Sequence, residues 1–215
     1  MPGRIRWSFG GATITPSLLR PHAAASQTLV GRHAEQVALL ARLRRGTAIT
    51  LTGPAGVGKT TYLTALTDVL ADDEIAHAAV DADDVSWAYP YPDLEGRTEY
   101  VRRAWEAYRD RGHDLLLLSE VVESAEHRAQ LLAAVGTDDH LLVRLTAPYM
   151  LLRQRILARE PIEWSGTEYL LEQTRGWAEG LDSLDDVHLT IDTVRTGPLE
   201  AAARIRAERP AELGG

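Results

Sequence analysis

Apolar residues along this 215-residue chain fall into two alternating rhythms. Short continuous runs rich in Val, Ile and Leu have the length and composition of strands buried on both faces: AITLT (48–52), IAHAAV (75–80), part of DLLLLSEVV (114–122), HLLVRLT (140–146) and VHLTI (187–191). Between them apolar positions recur every three or four residues, which predicts helices over 59–71, 97–111, 124–135, 148–159, 167–181 and 198–208. A further helix is predicted over 33–45, where Val37, Leu40 and Leu43 repeat and Gly46 offers a stop. Residues 1–27, rich in Pro, Gly, Ala, Ser and Thr with little periodicity, read as a loosely ordered N-terminal arm before a domain over 28–215. Strand and helix in alternation predict an α/β, three-layer fold: a five-stranded parallel sheet covered by helices on both faces, with its ligand crevice at the carboxyl ends of the strands.

The first predicted strand and helix are joined by GPAGVGKT (53–60), which fits G-x-x-x-x-G-K-[ST] with Gly53, Gly58, Lys59 and Thr60 in the required places. Of the 23 basic residues Lys59 is the single lysine. A compact ammonium on a flexible stem fits between two phosphates in a tight backbone cradle, where a rigid guanidinium does not. Gly53, Pro54, Ala55, Gly56, Val57, Gly58, Lys59, Thr60 and Thr61 are therefore expected to wrap the phosphates of a nucleoside triphosphate. The helix start adds unpaired N–H groups and the positive end of its dipole.

Other strand ends share that crevice. The second supplies Asp81, Asp83 and Asp84. Phosphoryl transfer needs Mg2+ on the phosphates and a group to receive the proton of the attacking hydroxyl. Thr60 and Asp81 are expected at the metal, and Asp83 at the acceptor as base or orienting group; a solvated turn with a helix N-cap is the plainer reading of the same acidic run. The third strand ends in Ser119 and Glu120, with serine where an acidic Walker B pair would begin. Glu120 either contributes beyond the metal's first ligands, caps the next helix or contacts an arginine. Arg155 and Arg159 share one helix face and are candidates for closing over the transferring phosphate, with Pro161–Gly166 as a flap in a lid near 159–167. Trp87, Tyr89 and Tyr91 lie on a loop that walls an acceptor pocket or packs as a satellite cluster. Arg97, Arg102 and Arg103 are candidates for an acceptor phosphate. Trp105, Trp164 and Trp177 read as core or lid packing, and His77 and His188 as structural residues.

Composition narrows the classes. A net charge of −8 disfavours nucleic acid and anionic membranes as partners, and no run of eighteen apolar residues occurs. The absence of cysteine removes disulfides and thiolate chemistry. A cytoplasmic protein is expected, and a homodimer is left open.

Taken together, GPAGVGKT, the VDADD ending the second strand, RLTAPYMLLRQRILARE and HLTIDTVRTGPLEAAARI resemble P-loop kinases of the shikimate kinase, gluconate kinase and chloramphenicol phosphotransferase type over residues 46–208. The resemblance implies a P-loop NTPase fold that uses ATP and Mg2+ to phosphorylate a hydroxyl of a small metabolite or natural product. Asp81 and Asp83 would meet the metal and the acceptor, Arg155 and Arg159 adenine and phosphates, and residues 192–198 the adenine. The substrate side is not carried over from that resemblance; from the residues themselves Asp83, Trp87, Tyr89, Arg97 and Glu120 are expected to line it. A nucleoside or nucleotide kinase is a narrower form of this expectation. A second resemblance, of LVGRHAEQVALLARLRRG followed by the loop, is to AAA+ and STAND ATPases, in which Gly31 and Arg32 would border the adenine of an ATPase switch module.

Overall fold

In the computed structural model of the protein the described residues are 46–208, apart from 138, 182, 183 and 185, together with the backbone of 8–9 and 12–13. Within the arm, β1 (Ser8–Phe9) pairs antiparallel with β2 (Ala12–Thr13). The helix expected over 33–45, and with it Gly31 and Arg32, lies outside the described residues.

From residue 47 the chain alternates as its apolar rhythm predicts. The elements are β3 (Thr47–Thr52), α1 (Lys59–Asp72), β4 (Ala78–Asp81), α2 (Ala82–Val85), α3 (Leu94–Arg109), β5 (Leu115–Ser119), α4 (Ala125–Val135), β6 (Asp139–Thr146), α5 (Tyr149–Arg159), α6 (Thr167–Gly180), β7 (Leu189–Asp192) and α7 (Pro198–Ala207). The five strands form one parallel sheet in the order β4-β5-β3-β6-β7. This is the α/β, parallel-sheet fold that the strand and helix pattern predicted, in the P-loop NTPase-like form that the resemblance implied.

Both sheet faces are dry, which explains why the strand runs are continuous rather than alternating. Ile49, Leu51, Leu115, Leu117, Val143 and Leu145 face a cluster with Leu63, Leu66 and Leu70 of α1 and Ala201, Ala202 and Ile205 of α7. Their neighbours Ala48, Leu116, Leu118 and Leu142 face Val101 and Trp105 of α3 and Leu131 and Val135 of α4. Trp105 is 1% exposed and donates its ring N–H to the Val135 carbonyl at 3.1 Å, so its one polar atom is satisfied inside the core.

Two element starts differ from the sequence reading by three residues. The strand predicted from Ile75 begins at Ala78, because α1 ends in a Schellman motif: Glu74 takes φ 58°, its N–H bonds Ala71 O, and the Ile75 N–H reaches back to Leu70 O at 2.9 Å. Ile75 is an apolar plug against the helix end rather than a strand residue, and His77, just ahead of β4, bonds Ile75 O. The helix predicted from Arg97 begins at Leu94, because the Asp93 side chain accepts the Gly96 N–H as N-cap at 2.9 Å. That shift places Arg97 in the first turn of α3, at the crevice end of the sheet.

Candidate active site

Parallel register aligns the carboxyl ends of the strands. Asp81 lies opposite Ser119, Ser119 opposite Leu51, and Thr146 opposite Asp192, so these ends form one edge with the turn after Thr52. There the chain enters the glycine-rich loop. Gly53 takes φ 149°, and a Cβ on it would stand 2.5 Å from the Leu145 carbonyl oxygen; Gly56 takes φ 78° with Leu152 O at 3.0 Å from such an atom. Backbone packs on backbone at both positions, and only glycine allows it. Gly58 is the left-handed cap from which α1 starts, and no side chain caps the first turn, so its N–H groups remain available to an anion.

Half-buried Lys59 leads α1 and donates from Nζ to the Gly53 carbonyl at 3.1 Å, closing the cradle on itself. Burial lowers its pKa below the ordinary lysine range. Asp83, then Asp81, then Glu120 push the other way, and Arg159 acts with burial. Four of the expected site residues thus bear electrostatically on one ammonium group.

Thr60 Oγ1 donates to Asp81 Oδ2 at 2.9 Å, while Asp81 Oδ1 accepts the Asp83 N–H at 3.2 Å as N-cap of α2. Asp81 is thus a helix cap, as the plainer reading of the acidic run has it, and also the partner of the loop threonine. A hydroxyl and a carboxylate joined at the end of the phosphate loop are hard oxygen donors of the type Mg2+ prefers, so these residues fit the ion. Ser119 Oγ, buried on the strand beside Asp81, has no hydrogen-bond partner among the described residues.

Asp83 is open to solvent, with 65% of its side chain exposed. Glu120 is the opposite case, at 3% exposed. It accepts from Arg97 Nη2 at 2.7 Å and from the Val121 N–H at 2.9 Å. Burial pushes its carboxyl up to about 7 against the pull of Arg97, with Asp83 adding to the rise. Arg97 also reaches Asp83 at 3.4 Å and lies 5.8 Å from the centre of the Tyr91 ring. Of the readings open for Glu120, contact with an arginine is the one the structure contains.

Arg155 Nη1 donates to the Gly56 and Val57 carbonyls, both at 3.3 Å, and to Thr193 Oγ1 at 3.4 Å, so it bridges the phosphate loop to the segment after β7. Arg159, one turn on, is exposed and pairs with Glu160. Between α5 and α6, Trp164 packs its ring over Gly166, leaving Ile162 fully exposed. Trp87, Tyr89 and Tyr91 are 89%, 100% and 63% exposed, which corrects the satellite-cluster reading: they cover no core. Trp177, by contrast, is half-buried beside Pro54 and Leu145.

Arg102 and Arg103, candidates for an acceptor phosphate, are committed elsewhere. Arg102 pairs with Glu99 and Glu106, and Arg103 with Glu99 at 2.7 Å, all on the outer face of α3. The Arg97–Glu120–Asp83 set was missed by sequence spacing because its members lie on three elements. The signal that could have found it was Asp93, whose capping role fixes where α3 begins.

No helix among the described residues is long and apolar enough to cross a membrane, and no group of three or more His, Asp or Glu there is arranged to hold a metal by itself.

Solved structures share this fold. Mycobacterium tuberculosis APS kinase CysC, in complex with AMPPNP and APS, superposes with a TM-score of 0.55 at 19% identity, covering 76% of this chain and 97% of that one. A shikimate kinase from Acinetobacter baumannii in complex with shikimate gives 0.51 at 20% identity, covering 78% and 94%. A gluconokinase from Sinorhizobium meliloti 1021 gives 0.51 at 16%, covering 79% and 93%. No curated protein matches the chain. The AAA ATPase domain family matches residues 28–209, the phosphate loop and all five sheet strands included, and the chain belongs to that family of P-loop NTPases.

Proposed function

We propose that this protein is an ATP-dependent kinase that transfers the γ-phosphate of Mg·ATP to a hydroxyl of a small metabolite or natural product. One observation carries the reading: the carboxylate closest in influence to the loop lysine, Asp83, is open to solvent, while Asp81 is held by Thr60 and Glu120 is buried under Arg97. An exposed carboxylate beside the phosphate lysine is suited to a bound hydroxyl.

In this reading Lys59 and the loop amides hold the β- and γ-phosphates, and Arg155 with Arg159 draws charge toward the transferring group. Thr60 and Asp81 would hold Mg2+, which neutralises phosphate charge when bound. The acceptor oxygen forms a bond to the γ-phosphorus as its proton passes to Asp83. The bond to the β,γ-bridging oxygen breaks, and ADP leaves with that electron pair. Each preorganised donor contributes about 3–4 kcal/mol to transition-state stabilisation. Acceptor-dependent ADP release, measured over hydroxylated compounds with Mg·ATP, tests the reading. Asp83→Asn should lower transfer far more than ATP binding, and equal transfer by variant and parent removes Asp83 from the chemistry.

Family membership favours a second reading, an AAA+ or STAND-like ATPase switch, in which water replaces the acceptor. Hydrolysis at an unchanged rate with and without acceptors, coupled to assembly or partner capture, would support it. The burial of Glu120 under Arg97, which leaves the carboxylate at the end of β5 out of reach of such a water, weighs against it.

A further inference from the structure

Resting on the kinase reading, we infer that the acceptor carries a positive charge, a protonated amine near its reacting hydroxyl. The acceptor side of the crevice is built from β4, α2, the aromatic loop and the first turns of α3. Its cations are already spent. Arg97 divides its guanidinium between Glu120 at 2.7 Å and Asp83 at 3.4 Å, and its unpaired Nε is buried. Arg102 and Arg103 are held by Glu99 and Glu106 on the outer face of the helix. An anionic acceptor would find no unpaired cation among the described residues of this side.

It would instead meet the exposed carboxylates of Asp83 and Asp84. The local potential is negative enough that partial burial and the charges of Asp81 and Asp83 hold the Asp84 carboxyl above the usual carboxylate range. An ammonium relieves that repulsion and offers three N–H donors to oxygens. A second, independent observation agrees. Trp87, Tyr89 and Tyr91, which contribute to no core, present their rings to solvent on the loop between α2 and α3. Aromatic faces attract organic cations, and the Arg97–Tyr91 contact shows one ring of the loop already engaged with a cation.

The test compares amino sugars, aminocyclitols and amino alcohols with their N-acetyl and carboxylate counterparts. Two readouts are taken: calorimetric binding to the full-length protein, and ADP release with Mg·ATP. The amines are expected to bind about tenfold or more tightly than their N-acetyl forms, and the acids more weakly than either. The preference should shrink at 1 M salt, where screening acts within about 3 Å, and in Asp84→Asn, a residue outside the transfer chemistry. Trp87→Ala should weaken amine binding without unfolding a residue that is 89% exposed. Acids bound as well as amines, no binding by any amine, or a preference indifferent to salt and to Asp84→Asn would each overturn the inference. Amine binding with this salt and Asp84 dependence but without turnover of any acceptor would leave a site for organic cations in place and overturn the kinase reading, and with it the amine's role as acceptor.

Discussion

Replacing Glu120 by glutamine should stabilise the protein at alkaline pH and leave it unchanged in acid. The folded carboxyl titrates near 7 rather than at its ordinary 4.5. A carboxyl whose folded pKa is raised binds more protons in the folded than in the unfolded state between those values, so stability falls as pH rises through that window. A shift of about 2.5 units at 1.36 kcal/mol each comes to about 3 kcal/mol. Glutamine keeps the volume and the oxygen facing Arg97 but carries no charge to desolvate. The parent's own pH profile will not show this directly. His127 and His140 are pushed down to about 4 from 6.5, mainly by burial, so they favour the folded state as pH rises from about 4 to 6.5 and oppose the Glu120 slope. Subtracting the parent from the variant cancels the histidines. Urea unfolding at pH 4.5, 5.5, 6.5, 7.5 and 8.5 should give a difference near zero at the acid end, rising to about 3 kcal/mol above pH 7.5. A difference that is flat with pH would refute the view that burial outweighs the Arg97 ion pair.

Three further outcomes follow from the same geometry. Lys59→Ala should cut turnover by roughly 10²–10³ with the fold intact, read by single-turnover kinetics and circular dichroism. Gly53→Ala forces a Cβ to within 2.5 Å of the Leu145 carbonyl at a φ of 149°, and should weaken Mg·ATP binding and lower the melting temperature by several degrees; an unchanged calorimetric affinity would mean the loop is looser than described. Thr60→Ala and Asp81→Asn share one 2.9 Å hydrogen bond, so their effects on Mg2+-dependent nucleotide affinity should fall short of additive in a double-mutant cycle, and strict additivity would break the link.

The fold was legible because five apolar runs and their intervening helices each agreed on the same layered sheet, and the phosphate loop because its glycines answer to backbone contacts that admit no side chain. Boundaries failed where an end signal competed with the apolar pattern. Ile75 is as apolar as a strand residue, yet the left-handed Glu74 turns it onto α1. Arg97 was singled out for the substrate side, but its tie to Glu120 depends on α3 beginning three residues early at Leu94, behind the Asp93 cap. Pairings among residues 83, 97 and 120 are set by strand register and helix entry, which local spacing does not encode. Arg102 and Arg103 misled for a related reason: in a chain with so few lysines, arginines also serve as ordinary helix-surface partners for Glu99 and Glu106.

The division of labour among the carboxylates comes down to where each strand lets go of its chain. After β5 the backbone stays with the sheet, since the Glu120 N–H still bonds Leu51 O and the Val122 N–H bonds Thr52 Oγ1. Glu120 is thereby drawn into the dry end of the sheet, where a carboxylate needs Arg97 to be tolerated and is poorly placed to meet a mobile water. After β4 the backbone turns at once into α2, capped by the Asp81 side chain, and that turn carries Asp83 outward beside the loop lysine. A carboxylate in the crevice can meet a hydroxyl that diffuses in, whereas one sealed beneath an arginine holds the crevice wall together. The same fold with these two exposures exchanged would suit water as its nucleophile, and it is their present order that favours an acceptor alcohol.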